Sequence, residues 1–469
     1  MKKIVFIGNF VNDVILIHQD LILHKEKSFS DLMDAEKQKE LNRNGGEPGK
    51  VTKADALGGS VTYGSLAATE FGDTISYIVT TVGGDINHQF NSLIQNKQPH
   101  IDLSFIENDT QLKNTSYYLN YYNNKKNRTL SLMEKGKDID AQKAIHCITT
   151  VRPDAILFVP VSGELDEELV VSVLESIKQI NSSTAAEDAY LPVIAFDIQG
   201  FLRAFNGTKV ITRPKHIMIQ KLISISQALR DMDIISVVKA EYGEAAAIMG
   251  DHDPATCAKL LRSNFGFTIS SVTMGGDGGF VSSDQTQEVY IPTFKPDTVC
   301  DETGCGDTFL TCTVLELLNV KSISPSIVSN NPNMVENKES QIKSPTKLDN
   351  NTMATESQPT EFDQQGTFKL SPLKNSLSKK EILHCLEVGS AGASFLVEKM
   401  GPNGFADRNK ILERVEKGKK QIKKHYQPFL CNSSTVQPDK DLDKTSPVEF
   451  ISFPNQSQPK KVKTTTHYI

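Results

Sequence analysis

From residue 150 onward the sequence alternates short apolar runs with stretches of helical periodicity, and no other feature narrows the possible fold as far. Ala155 to Val161, Pro192 to Asp197, Ile234 to Val238 and Ser270 to Met274 are apolar over a strand's length and end near Gly, Asp or Glu. Runs that are apolar on both faces belong in a parallel sheet covered on both sides, and strand–helix alternation builds such a sheet. Ile4 to Gly8 is a further run of this kind, so a buried strand is expected at the N-terminus. Although MKKIVFIGNF begins like a secretion signal, its apolar run stops at Asn9, too soon for a signal core or a membrane span. The expected architecture is α/β, a doubly wound parallel sheet.

In such sheets ligands sit beyond the carboxyl ends of the strands. Polar residues collect at those ends here: Asn9 and Asp13; Ser162, Gly163 and Glu164; Asp197, Gln199 and Arg203; Lys239, Glu241 and Glu244; Thr273, Gly275, Asp277 and Gly278. Several such clusters in register describe the mouth of a nucleotide site. Asp13 by itself reads equally well as a turn residue.

The densest cluster is DETGCGDTF, Asp301 to Phe309, which leads into apolar positions three and four apart at Phe309, Cys312, Val314, Leu315 and Leu317. Gly304 and Gly306 flank Cys305 and permit a tight turn, and its free N–H groups converge at a helix N-terminus, a seat for an anion. Asp307 in the same turn is either a cap for orphan N–H groups or a carboxylate that handles a proton.

This segment resembles the C-terminal signature of the pfkB, or ribokinase-like, carbohydrate kinase family, roughly D-T-x-G-A-G-D-x-F, with Glu302 and Cys305 as departures. Gly58 and Gly59 in ALGGSVTYGS resemble the second family signature, G-G-x-x-x-N, with Tyr63 in place of Asn. An aromatic there, after LGG, looks more like the family's myo-inositol kinases than like ribokinase. KAEYGE, Lys239 to Glu244, resembles N-x-x-E with Glu241 for Asn. TMGGDG, Thr273 to Gly278, resembles T-x-G-x-x-G.

The resemblance implies an ATP-dependent kinase of a small polyhydroxylated substrate, with a small antiparallel β lid over the doubly wound sheet. Asp307 would be the base, with the Gly304, Cys305 and Gly306 amides around the phosphoryl group. Asn9, Asp13, Gly58, Gly59 and Tyr63 would bind substrate. Lys239, Thr273, Gly275, Gly278 and Thr303 would bind ATP. Glu244 would hold Mg²⁺ through water, and Asp301 a monovalent cation, K⁺. A nucleoside kinase of the same fold and a non-catalytic nucleotide- or sugar-binding relative are the alternatives.

The chain of 469 residues is read as one kinase domain over 1–425 and a polar tail over 426–469. Lid parts are expected at about 14–57 and 100–135, the second built from antiparallel runs at Ile101 to Ile106 and Thr115 to Met133. Arg128, beyond the lysine-rich turn, is either a solvated edge charge or a contact for a phosphate or an acidic sugar. Residues 321–375, rich in Ser, Asn, Pro, Lys and Gln, are expected to be an unstructured insertion. A net charge of −6 offers no basic field for nucleic acid, and nothing suggests a membrane partner. Seven scattered cysteines without C-x-x-C spacing fit reduced thiols in the cytoplasm. Homodimerisation through the lid is a further expectation.

Overall fold

The computed structural model describes residues 1–18, 51–122, 127–183, 189–230, 232–323 and 377–430. Its strands are β1 (Lys2–Ile7), β2 (Val11–His18), β3 (Val51–Gly58), β4 (Thr74–Gly83), β5 (Ile101–Asp102), β6 (Ile106–Asp109), β7 (Thr115–Tyr122) and β8 (Asn127–Glu134). They continue with β9 (Ala155–Phe158), β10 (Val193–Asp197), β11 (Arg203–Asn206), β12 (Lys209–Thr212), β13 (Ser236–Glu241), β14 (Ile269–Thr273), β15 (Gly279–Ser283) and β16 (Val289–Ile291). The principal helices are α1 (Ser60–Phe71), α2 (Ala141–Val151), α3 (Glu167–Ser182), α4 (Lys215–Leu229), α5 (Tyr242–Met249), α6 (Pro254–Phe265), α7 (Cys305–Ile323), α8 (Lys379–Leu396) and α9 (Arg408–Leu430).

The main sheet is ten-stranded, in the order β16-β15-β14-β13-β10-β9-β1-β4-β5 with β6 also on β4. It is parallel from β14 to β5 and closes with the antiparallel hairpin β15–β16. Strand β1 shows why the apolar runs are unbroken. Ile4 and Phe6 face the layer containing Leu66 of α1, Val314 of α7 and Leu386 of α8, whereas Val5 and Ile7 face Ile148 of α2, Val173 of α3 and Leu222 of α4. All four are fully buried, so successive residues of one strand serve opposite cores.

Local chemistry sets the helix starts. Asp166 caps α3 by accepting from Leu169 N–H, and Asp253 caps α6 just before Pro254. Ser378 and Glu381 form a capping box at α8. The small-residue face of α8 packs on α7, where a Cβ on Gly392 would stand 2.8 Å from Cys312 Sγ. That approach brings Ser390 and Ser394 of α8 to the rim of the cavity described below.

A second sheet of six strands runs β11-β12-β8-β7-β2-β3. Two features differ from the lid expected from the sequence. Ile101 to Ile106 does not pair with Thr115 to Met133: β5 and β6 run parallel to β4, because Ser76 and Thr80 of β4 still have edge positions to fill in the main sheet. The β11–β12 hairpin takes the freed place, and β2 pairs with β7 in parallel, so the second sheet is mixed. Helix α7 continues to Ile323, past the expected start of the insertion. The remainder of that insertion, residues 19–50 of the 14–57 segment and most of the tail lie outside the described residues.

Candidate active site

The carboxyl ends of β10, β13 and β14, the first turn of α7 and the inner face of the second sheet enclose a cavity of about 870 Å³. Its centre is the turn from Asp301 to Asp307. Gly304 has φ +80°, and any Cβ there would collide with the ring of Tyr63, so the position admits only glycine. Its carbonyl accepts from Thr308 N–H at 2.9 Å, which starts α7 at Cys305.

A helix start leaves N–H groups without intrahelical partners. The expectation that the Gly304, Cys305 and Gly306 amides all face a ligand is corrected at its middle residue: Cys305 N–H donates to the Glu302 carbonyl at 3.3 Å and closes the turn. Its thiol lies 3.8 Å from the Ala393 carbonyl, and burial pushes it up to about 12. Among the described residues the Gly304, Gly306 and Asp307 N–H groups have no hydrogen-bond partner.

Lys239 lies directly against Gly306, where an added Cβ would stand 2.7 Å from Nζ. Parallel register sets Lys239 of β13 beside Asp197 of β10, and Nζ donates to Asp197 Oδ2 at 3.0 Å, both side chains being buried. Burial would lower the lysine pKa, but Asp197, then Glu244 and Asp307, hold it above its ordinary value. The ammonium stays charged beside the helix start. Gly306→Ala is therefore expected to keep the fold, since α7 tolerates alanine, but to lower phosphoryl-transfer kcat by about 10²-fold by crowding this seat. Circular dichroism and kcat measured together check it; an unaltered kcat removes Gly306 from the seat.

Asp307 follows in the first turn of α7. Burial, then the Asp197 charge, push its carboxyl up to about 6, against the pull of Lys239, the Ser60 hydroxyl and Arg203. Ser60 opens α1 immediately after Gly59, which has φ +91° and precedes the first helical residue.

On one side of Asp307 lie Asp13, Tyr63, Tyr117, Arg128 and Arg203. Burial pushes the Asp13 carboxyl up to about 7, while Arg128 and Arg203 draw it down. Gly58, expected to touch substrate, does not line the cavity. A Cβ there would collide with the Asp13 carboxylate, so its role is to leave room for that group. Burial, then Asp13, Asp301 and Asp307, raise the Tyr63 phenol well above its ordinary range, which keeps it a neutral hydroxyl.

On the other side lie Thr273, Gly275 and Gly278 after β14, with Thr293, Ser390 and Val397 beyond. Gly275 and Gly278 have φ +56° and +84°. Thr303 stands at the junction, and its hydroxyl accepts from Arg128 Nη1 at 2.9 Å. Glu244 also lines the cavity, and its Oε2 accepts from Glu241 N–H at 2.9 Å in a capping box. Burial raises the Glu244 pKa to about 7. Among the described residues Oε1 accepts no hydrogen bond, so Glu244 fits a magnesium ion that keeps its waters and needs only one or two carboxylates.

Two expected ligands are not brought to the cavity. Asn9 is buried and fully used: its N–H donates to Glu164 Oε1 at 3.0 Å, its Nδ2 to the Lys137 carbonyl at 3.3 Å, and its Oδ1 accepts from Thr80 Oγ1 at 2.8 Å. It locks the end of β1 to its neighbours. Asp301 is equally occupied, accepting from Thr303 N–H at 3.0 Å and Gly401 N–H at 3.1 Å, so it staples the turn to the segment after α8. Glu164, listed with the strand-end clusters, is likewise structural. It accepts from the N–H groups of Asn9, Val161 and Ser162 and from the Ser162 hydroxyl.

Sequence reasoning gave no site role to two cavity residues. Ser60 carried a signal, being next to the glycine pair, and Arg203 stood in a strand-end cluster. Arg128, left open between an edge charge and a contact for a phosphate or an acidic sugar, lines the cavity.

Residues 203–327, which include Asp307 and its turn, match the pfkB family of carbohydrate kinases. The fold of the chain is similar to ribokinase from Giardia lamblia, with a TM-score of 0.57 at 12% identity over 88% of this chain and 99% of that one. It is also similar to Arabidopsis thaliana ribokinase, whose structure is complexed with ribose and ATP, with a TM-score of 0.52 at 12% identity over 88% and 99%. A nucleoside kinase from Methanocaldococcus jannaschii follows at 0.50 and 13%, over 89% and 99%. At these identities the likeness is one of fold. No curated protein matches the chain by sequence. Among the described residues no helix is long and apolar enough to cross a membrane.

Proposed function

We propose that this chain is an ATP-dependent phosphotransferase that moves the γ-phosphoryl group of ATP to a hydroxyl of a small sugar or polyol. The observation that carries the reading is the position of Asp307: a half-buried carboxyl in the first turn of α7, beside unpaired N–H groups and a charged lysine. A carboxylate against an anion seat raises the energy of the resting site, and a proton-accepting role accounts for its being there. In the proposed mechanism Asp307 takes the proton of the acceptor hydroxyl as the acceptor oxygen bonds to the γ-phosphorus. The bridging bond to the β-phosphate breaks, and ADP leaves. The Gly304 and Gly306 amides and the Lys239 ammonium stabilise charge on the transferring group. Glu244 would hold magnesium through water, and the ion, when bound, would neutralise phosphate charge.

ATP would enter on the Thr273, Gly275 and Gly278 side, and the acceptor on the Asp13, Gly59 and Tyr63 side. The neutral polyol myo-inositol, expected from Tyr63, is one acceptor to try. A nucleoside is the second reading, favoured by the Tyr63 and Tyr117 rings on the acceptor side, since a base can stack on them. ATP consumption with myo-inositol, ribose, fructose, adenosine and cytidine separates these, and silence with every acceptor would leave a nucleotide- or sugar-binding protein instead.

Three further parts of the reading carry their own tests. The potassium expected from Asp301 would act through the turn it staples, and equal rates in potassium and sodium would remove it. A homodimer through the second sheet fails if the protein sediments as a monomer. A cytoplasmic setting is supported by free thiols at all six cysteines among the described residues and fails if the protein is found in a secretory compartment.

A further inference from the structure

The acceptor half of the cavity holds two guanidinium groups, Arg128 from β8 and Arg203 from β11, and among the described residues neither makes an ion pair. Their partners are neutral. Arg128 Nη1 donates to Thr303 Oγ1 at 2.9 Å and to Tyr121 Oη at 3.4 Å. Arg203 Nη1 donates to the Val161 carbonyl at 2.8 Å, and its guanidinium lies 5.8 Å from the Tyr117 ring centroid. With the Gln199 amide turned, its oxygen accepts from Arg203 at 2.8 and 3.0 Å. Carboxylates face them at longer range, Asp301 and Asp13 toward Arg128 and Asp13, Asp307 and Glu244 toward Arg203, but Asp301 is bonded to two backbone N–H groups and none of the four makes a close ion pair with either guanidinium. Charges withdrawn from water are ordinarily paired, and the planar fork of arginine matches a carboxylate or a phosphate.

We propose that the acceptor is an acidic polyhydroxylated molecule whose carboxylate or phosphate monoester sits between Arg128 and Arg203 while Asp13 takes its hydroxyls. This rests on the phosphotransferase reading above and replaces the neutral polyol expected from Tyr63 with an acidic one. Substrate oxygens would supply the close ion pair that no carboxylate among the described residues makes.

Calorimetric binding to the full chain without nucleotide tests it independently of turnover, using the matched pairs D-gluconate against D-glucitol and D-ribose 5-phosphate against D-ribose. At least one acid is expected to bind about 10- to 100-fold more tightly than its neutral partner. Arg128→Met and Arg203→Met should each remove most of that preference, with circular dichroism reporting the fold intact. The wild-type comparison stands even if a variant fails to fold. Equal binding within both pairs, no binding of either acid, or a preference that survives both substitutions overturns the proposal. So does an Arg203→Met that lowers kcat alike for acidic and neutral acceptors with acid binding unmoved, since Arg203 would then serve only the transferring phosphoryl group. Arginine-dependent binding of an acid without turnover would uphold this inference and count against the kinase.

Discussion

Asp307→Asn is expected to lower kcat by about 10²- to 10⁴-fold, the contribution of a positioned general base, with little change in ATP affinity. Asparagine keeps the shape of the side chain and an oxygen for the Ser60 hydroxyl but cannot accept the acceptor's proton. The Gly304 and Gly306 amides and Lys239 remain in place, so the nucleotide loses nothing it touches. Stability should move the other way. The Asp307 pKa in the folded chain lies above its unfolded value of 3.8, so the ionised carboxyl destabilises the fold at neutral pH. An amide relieves that cost, and the variant should melt at the same temperature as the wild type or slightly higher. Steady-state kinetics with a thermal melt check both halves, and an unaltered kcat removes Asp307 from the chemistry.

The largest stability effect is expected far from the cavity, at Glu316→Ala. Glu316 of α7 is 1% exposed and binds Arg408 of α9 through two hydrogen bonds of 2.6 Å, His384 of α8 at 3.0 Å and Asn319 at 2.9 Å. One carboxylate thus joins three helices. Breaking a buried pair by removing one partner costs about 3–5 kcal/mol, and the lower end is expected because Arg408 is partly exposed and can turn to water. Hydrogen bonds from His384, Arg408 and Asn319 outweigh burial and hold the Glu316 carboxyl down to about 2, against 4.5 for the free group. A depressed pKa means that this contribution is complete above about 4.5 and lost as pH falls toward about 2. Urea unfolding at neutral pH and at about pH 3 should therefore separate wild type from variant widely in the first case and less in the second. A gap that does not shrink on acidification would show that the carboxylate's charge is not what holds the helices.

Much of the main sheet was legible because its signal is local. A strand buried on both faces must be apolar at every position, and Ile4 to Ile7 are. The turn at Asp301 to Asp307 was legible for a related reason: glycine at 304 answers a backbone demand that any sequence with this turn must meet. What sequence did not reveal depends on where a side chain ends up. Asn9 and Asp301 look like ligands in one dimension, yet their hydrogen-bonding capacity is taken by Glu164, Lys137 and Thr80 and by the Thr303 and Gly401 amides. Arg128 stayed open between an edge charge and an anion contact because the direction of a β8 side chain is set only when β8 pairs with β7. The displacement of Ile101 to Ile106 into the main sheet has the same origin, since alternation marks a strand but not its partner.

The account turns on a carboxyl whose burial tunes it to accept a proton beside an anion seat. The pH dependence of kcat/KM for phosphoryl transfer tests this most directly, because it reports ionisations of the free enzyme. The rate should fall on the acid side as Asp13 and Glu244 take up protons near about 7 and Asp307 near about 6, and in the residual rate of Asp307→Asn the fall below about pH 6 should be shallower by a factor of ten per pH unit. A profile that stays flat from about pH 5 to about pH 8, or a limb that persists unchanged in Asp307→Asn, would contradict it.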